Sequence, residues 1–72
     1  MTNTTMLNDV IFNSGLKVTF TAKKLGLTRE GLRKKITNKT EFKASEIQHL
    51  QAILNLSDKK RDEIFFYKKS KE

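Results

Sequence analysis

Apolar residues recur along the chain at the three- and four-residue spacing of amphipathic helices. Thr4 or Thr5 can cap a first helix, which Gly15 then ends. Thr28 and Ser57 can cap a third and a fifth helix in the same way. The pattern predicts helices at about residues 5–14, 18–25, 29–37 and 44–55, with a fifth starting at residue 58. We therefore expect an all-α fold.

The inward positions of these helices predict one small core. Its expected members are Leu7, Val10, Ile11, Leu16, Ala22, Leu25, Leu32, Ile36, Phe42, Ile47, Leu50, Ile53, Leu54, Ile64 and Phe65. Phe20 lies toward the flank of the second helix, where it either packs back on the domain or serves as an exposed anchor for a protein partner. Phe66 cannot fully share the face of Ile64 and Phe65. The aromatic cluster that ends at Tyr67 therefore closes the core or forms a seam with a partner, and we expect residues 68–72 to fray.

Residues 18–37, VTFTAKKLGLTREGLRKKIT, stand out as a helical hairpin. A hairpin of two helices needs a small residue where the helices cross and a glycine where the chain turns with positive φ. Ala22 and Gly26 supply both, at the spacing that DNA-binding helix-turn-helix motifs use. Gly31 lies inside the second helix of the hairpin, either because a side chain there would hinder a partner or as simple helix variation.

The outward face of this second helix carries the side chains that major-groove recognition requires. Arginine can pair with guanine through two hydrogen bonds, glutamate can accept one from cytosine, and lysine can reach a base or a phosphate. The candidate binding residues are Thr28, Arg29, Glu30, Arg33, Lys34 and Thr37. In the following loop, Lys39 and Lys43 would lie near a nucleic-acid backbone and position it without reading sequence.

The net charge strengthens this interpretation because it is concentrated in one part of the chain. The 72 residues carry a formal charge of +7, and Lys17 to Lys43 holds nine basic and two acidic residues. The rest of the chain holds six of each, so the hairpin region accounts for the whole excess. A local basic field favours a polyanionic partner, nucleic acid first and an acidic protein face second. The alternative is a surface that only keeps the protein soluble.

The composition argues against several other classes of function. The chain has no cysteine and one histidine, His49, so we expect no disulfide, metal or other cofactor. It shows no nucleophile with a partner base and no phosphate-binding glycine loop, so we expect neither an enzyme nor a small-molecule substrate. No signal peptide and no apolar run near ~20 residues is present, so we expect a cytoplasmic protein without a membrane partner.

The order of a helix, the AKKLGLTREGLRKKI hairpin, a loop and two further helices resembles the Cro/CI-type helix-turn-helix regulators of temperate phages, from about Leu7 to Tyr67. More narrowly, the chain is similar to the modulators of repression, the antirepressors of lactococcal temperate phages. The resemblance implies a compact five-helix Cro/CI-type domain over residues 1–72. It also implies a role in the lytic–lysogenic switch, in the cytoplasm of a bacterial host, with the DNA-binding domain of the phage CI repressor as partner.

Carried over by residue, the recognition-helix positions of the family fall on Thr28, Arg29, Glu30, Arg33 and Lys34. Auxiliary contacts would come from Lys17, Thr19, Lys35, Lys39 and Lys43. The family often begins its second helix with threonine and a phosphate-binding glutamine, but this chain has Lys17 and Val18 there, followed by Thr19 and Phe20. Asn38 and Lys39 replace a common Asn-Gly pair. An apolar edge on the second helix suits contact with a protein better than contact with phosphate.

Three hypotheses follow. In the first, the hairpin face and Phe20 dock on a repressor and alter its occupancy of the operator. In the second, a Cro-like repressor binds operator DNA unaided through Arg29, Glu30, Arg33 and Lys34. In the third, a basic protein coats nucleic acid with little sequence preference and a steep salt dependence. The residues alone favour operator DNA, whereas the resemblance and the changes on the second helix favour the repressor.

Overall fold

A computed structural model describes residues 1–66, which form five α-helices and no strand. In chain order the helices are α1 (Thr4–Ser14), α2 (Val18–Lys24), α3 (Arg29–Ile36), α4 (Ala44–Ile53) and α5 (Asp58–Phe65). The predicted all-α architecture is confirmed, with each boundary that was predicted lying within two residues of the observed one. The radius of gyration is 11.4 Å, close to the ~11 Å expected of a compact chain of this length. The predictions for Tyr67 and for the tail at 68–72 lie outside the described residues.

Two of the predicted helix caps are confirmed. The Thr28 hydroxyl oxygen accepts a hydrogen bond from the Gly31 backbone N–H at 3.0 Å and starts α3. The Ser57 hydroxyl oxygen accepts one from the Lys60 N–H at 3.1 Å and starts α5. Each bond satisfies one of the backbone donors that a helix start leaves free.

The predicted cap of α1 is wrong. Asn3 caps this helix, and its side-chain oxygen accepts from the Met6 N–H at 3.1 Å. Thr4 lies inside α1 and donates its hydroxyl hydrogen to the carbonyl of Ile36 at 2.6 Å. Both threonines and Asn3 are suitable caps by residue type, and the contact with α3 is what gives Thr4 a different partner.

Helices α2, α3 and α4 end in the same Schellman motif, in which a residue with positive φ follows the cap. These residues are Gly26 (φ 72°), Asn38 (φ 68°) and Asn55 (φ 55°). The next N–H then donates to the carbonyl five residues earlier: Leu27 to Ala22 at 2.9 Å, Lys39 to Lys34 at 2.8 Å, and Leu56 to Gln51 at 2.9 Å. The predicted turn at Gly26 is confirmed.

All five helices contribute to one core, as predicted. Its buried members are Leu7, Ile11, Ala22, Leu32, Ile36, Ile47, Leu50, Leu54, Ile64 and Phe65. The remaining predicted members are half-buried against them: Val10, Leu16, Leu25, Phe42 and Ile53. The Phe42 ring meets the Phe65 ring edge to face, with centroids 5.3 Å apart. Among the described helices the longest has 11 residues, and none has the length and apolar character needed to cross a membrane.

Candidate binding surface

Helix α3 presents a solvent-exposed face that we call the basic face. It surrounds an open concavity of about 730 Å³, lined by Thr28, Arg29, Glu30, Arg33, Lys34, Thr37 and Lys39. All six residues proposed from the sequence as the recognition surface are therefore brought together. Lys39, which was proposed as an auxiliary contact, lies beside them.

The opposite side of α3 fixes the orientation of this face. Leu32 and Ile36 are buried in the core, four residues apart on one side of the helix. Ala22 is also buried, which lets α2 pack closely against α3. Because residues three or four apart share a helix face, burying this stripe turns Arg29, Arg33 and the rest of the basic face toward solvent.

The basic face is predominantly positive. It carries four cations and one carboxylate, a formal charge of +3. Within residues 1–66, no carboxylate oxygen lies within 4 Å of a nitrogen of Arg29, Arg33, Lys34 or Lys39. Glu30 lies in the first turn of α3, where the helix dipole favours a negative charge. The cations are thus left free to bind phosphate or carboxylate groups of a partner.

The two threonines of the basic face offer different hydrogen-bonding groups. The Thr28 hydroxyl oxygen accepts from Gly31, so its hydrogen remains available to a ligand. Thr37 donates its hydroxyl hydrogen to the carbonyl of Arg33 at 2.9 Å, so it offers a ligand only its oxygen lone pairs.

A second groove, which we call the Phe12 groove, adjoins the basic face. It lies where α1 ends and α2 begins, has a volume of about 480 Å³, and is lined by Asn8, Ile11, Phe12, Leu16, Lys17, Val18, Thr19 and Arg29. Lys17 and Thr19, proposed as auxiliary contacts, therefore belong to this groove and not to the concavity of the basic face. Arg29 lines both concavities, so the two form one continuous surface.

Phe12 is the residue that the sequence analysis missed. Its side chain is 83% exposed, on the solvent side of α1. The signal was present in the helix periodicity, because Phe12 falls about 100° from Ile11 and outside the stripe of Leu7, Val10 and Ile11. The periodicity shows only that the ring is exposed, and a single exposed apolar residue is ordinary. The groove beside it is what makes Phe12 a candidate contact.

Phe20 is exposed, with 44% of its surface accessible to solvent. The Lys24 ammonium lies 5.4 Å from the centre of its ring, within the range of a cation–π contact. Phe20 is therefore not packed into the core, and its role as an anchor for a partner stays a prediction.

Lys35 and Lys43, the other two proposed auxiliary residues, line neither the basic face nor the Phe12 groove. The Lys35 ammonium is 3.0 Å from a carboxylate oxygen of Glu46 and donates to the carbonyl of Glu41 at 2.9 Å. It is turned away from solvent and connects α3 to α4. Lys43 is exposed, and its backbone N–H donates to the Glu46 carboxylate at 2.8 Å, so Glu46 anchors the start of α4.

The environment of Glu46 shifts its acidity. Burial by itself would raise the pKa of this carboxyl. The hydrogen bond from the Lys43 backbone and the ammonium of Lys35 outweigh burial and hold the pKa below its usual value. Glu46 is therefore ionised at neutral pH and forms a buried ion pair with Lys35.

A third groove lies between α4 and α5, beside the exposed ring of Phe66. Ile64 and Phe65 are buried, so the predicted closure of the core is confirmed for these two residues. Phe66 points out of it, as expected from its position one residue further along the helix.

No protein family, no curated protein and no solved structure matches this chain. Among residues 1–66, no cluster of three or more histidine, aspartate or glutamate side chains is placed to hold a metal ion. The basic face and the Phe12 groove are therefore the two candidate binding surfaces among the described residues.

Proposed function

We propose that this protein is a small transcription regulator of the lytic–lysogenic switch of a temperate phage, and that it acts by binding the DNA-binding domain of the CI repressor. The α2–α3 hairpin would be a helix-turn-helix of the Cro/CI type. Buried Ala22 at the helix contact and Gly26 at φ 72° support that assignment. The resemblance to phage antirepressors supplies the identity of the partner.

The exposure of Phe12 is the observation that favours a protein partner. A phenylalanine that is 83% exposed leaves most of its ring in water, and burying such a ring is a main source of free energy at protein interfaces. Phosphate groups would gain no binding free energy from contact with an apolar ring. Phe20 adds a second partly exposed ring on α2.

The surface around Phe12 also has the composition of an interface. Leu16 and Val18 supply an apolar centre, and Lys17 and Arg29 supply cations in the same groove. Because Arg29 belongs to the basic face as well, a repressor docked over the Phe12 groove would also cover α3. Such a complex would keep the repressor from its operator, or redirect it, through the surface that would otherwise contact DNA.

Phe12→Ser tests this proposal, and Phe66→Ser, at an exposed ring on another face, is the matched control. Burying ~150 Å² of ring surface at ~25 cal/mol per Å² is worth about 2–4 kcal/mol. We expect Phe12→Ser to raise the Kd for the repressor domain roughly 30- to 900-fold in isothermal titration calorimetry. Its free energy of unfolding should change by less than ~0.5 kcal/mol, because serine and phenylalanine have similar helix propensities.

Equal affinities of the wild type and Phe12→Ser would contradict the proposal. An equal loss in Phe66→Ser would show that any exposed ring contributes through non-specific association, and that the Phe12 groove has no special role.

The alternative function is that of a Cro-like repressor that binds operator DNA unaided. The +3 charge of the basic face favours this alternative, and so do Arg29 and Arg33, which have no carboxylate within 4 Å among residues 1–66. Here Arg33→Ala should cost ~1–3 kcal/mol of binding and relax the preference at one base pair.

A gel-shift titration on the early-promoter region separates the two functions. It would contain this protein alone, the repressor alone and both together, at two salt concentrations. A specific shift by this protein alone supports the operator hypothesis. Removal or remodelling of the repressor band, without a shift by this protein alone, supports repressor binding.

A further inference from the structure

The end of α3 differs from the ends of α2 and α4, although all three have the same backbone motif. In α2 and α4 the residue after the positive φ is a leucine, Leu27 or Leu56, which is half-buried against the core. Such an apolar contact commonly accompanies the Schellman motif. In α3 the equivalent residue is Lys39, which is exposed and belongs to the basic face. The motif at α3 therefore lacks its usual apolar anchor.

A side-chain clamp takes the place of this anchor. The Asn38 side-chain oxygen accepts from the Thr2 backbone N–H at 2.9 Å, and its nitrogen donates to the Thr2 carbonyl at 2.8 Å. Thr2 is only 7% exposed, whereas Asn38 is exposed, so both bonds are partly buried. The Thr4 hydroxyl bonds the carbonyl of Ile36 at 2.6 Å and fastens the same segment to α3. Thr2 and Thr4 thus connect the start of the chain to the end of α3.

Asn55 provides the internal comparison. It has nearly the same φ as Asn38 and occupies the same position at the end of α4. Its side chain has no hydrogen-bond partner within the part of the chain that the structure describes. A preference for asparagine at positive φ therefore accounts for Asn55, but it does not account for the two bonds that Asn38 makes.

We propose that Asn38 is a positioning residue of the binding surface. Its clamp replaces the apolar anchor and allows a cation, Lys39, to occupy the position after the turn and face the partner. Thr37 and Lys39 flank Asn38 on the basic face, so the clamp also fixes the spacing between them. This inference rests on the proposed binding of a repressor domain. It adds to the binding surface a residue, Asn38, that acts without touching the partner.

Asn38→Gly removes the clamp and retains a residue suited to positive φ, and Asn55→Gly is the matched control. The first readout needs no partner: hydrogen exchange of the Lys39 and Thr40 amides, which both donate to the Lys34 carbonyl. We expect Asn38→Gly to raise their exchange rates about three- to tenfold relative to the amides of α2, with no such local change in Asn55→Gly. Unchanged exchange at both amides would overturn the proposal.

The second readout is the affinity for the repressor domain, measured on samples shown to be folded by circular dichroism. We expect Asn38→Gly to raise Kd about three- to tenfold and Asn55→Gly to leave it unchanged. In a double-mutant cycle with Lys39→Met, the loss from Asn38→Gly should largely disappear, because the clamp acts through Lys39. Wild-type affinity in Asn38→Gly, or full additivity with Lys39→Met, would overturn the proposal.

The two readouts separate this inference from the proposed function. If the wild-type protein binds no repressor domain, the proposed function fails and the role of Asn38 in binding fails with it. Faster exchange at Lys39 and Thr40 in Asn38→Gly would still establish that the clamp orders the end of α3.

Discussion

The ion pair between Lys35 and Glu46 leads to a prediction that does not depend on any partner. Glu46→Gln keeps the shape of the side chain and an oxygen that can accept from the Lys43 backbone N–H, as Glu46 does at 2.8 Å. It removes the charge that faces the Lys35 ammonium at 3.0 Å. The substitution therefore isolates the electrostatic part of the α3–α4 contact.

The expected cost can be worked out from this distance. Unit charges 3.0 Å apart attract by about 5–6 kcal/mol at an effective dielectric constant of ~20. Desolvation of both groups offsets much of this, and Lys35 retains its bond to the Glu41 carbonyl, so we expect a net loss of ~1–3 kcal/mol. For a domain of this size, a loss of ~2 kcal/mol lowers Tm by about 8–16 °C.

Urea and thermal unfolding followed by circular dichroism measure this loss, and pH identifies its origin. The pKa of Glu46 is lower in the folded protein than the ordinary value of 4.5. Its stabilising contribution is therefore complete at neutral pH, and it is lost as pH falls below ~4.5 and through the lowered folded pKa. Protonated glutamate resembles glutamine, so the stability difference between the wild type and Glu46→Gln should shrink toward zero in acid.

Glu63→Gln, at an exposed position on α5, is the control and should change stability little at any pH. A difference for Glu46→Gln that is the same at pH 7 and in acid would refute the electrostatic reasoning. So would a Glu46→Gln protein as stable as the wild type at neutral pH.

Three further substitutions test the fold. Leu50→Ala, at a fully buried core position, should cost ~2–5 kcal/mol in urea unfolding, and a cost below 1 kcal/mol would mean that the core collapses around the cavity. Gly26→Ala places a side chain at φ 72° and should lower stability by ~1–2 kcal/mol, whereas unchanged stability would argue against the turn. Gly31→Ala should gain ~1 kcal/mol of helix propensity, but its Cβ would lie 3.1 Å from the Thr28 hydroxyl oxygen that caps α3. We therefore expect no increase in Tm, and a clear increase would show that the cap moves aside freely.

Local signals made most of the helix limits predictable. Thr28 and Ser57 cap their helices because a hydroxyl at the helix start bonds a free N–H within the same four residues. Gly26 turns the chain because its conformation depends on the residue itself. The buried stripes follow from helix periodicity alone. This is why the residues of the basic face could be grouped together from the sequence.

The errors and omissions have longer-range causes. Thr4 was expected to cap α1, but its hydroxyl bonds Ile36, 32 residues away, and Asn3 is the cap. Lys35 resembles the other lysines in sequence, and only the approach of α4 brings Glu46 to it. Phe12 was overlooked because an isolated apolar residue outside a stripe has no meaning until the surrounding surface is known.

Gly31 lies against the cap of its own helix. From the sequence, a glycine in this helix suggested either space for a partner or simple variation. The capping oxygen of Thr28 lies 3.1 Å from where a β-carbon would be, a tight contact, so the glycine leaves the cap of its own helix undisturbed.

The repeated Schellman turns have a consequence for how quickly the protein folds. The turns after α2 and α4 are closed by bonds between residues five or fewer positions apart, so these two helices can end correctly before distant parts of the chain meet. The end of α3 also needs Thr2 and Thr4 from the start of the chain. The chain has no proline and no cysteine, so neither prolyl isomerisation nor disulfide exchange can delay it. Small helical proteins with such local contacts fold within about microseconds to milliseconds. The concentration of folded protein should therefore follow its synthesis without measurable lag.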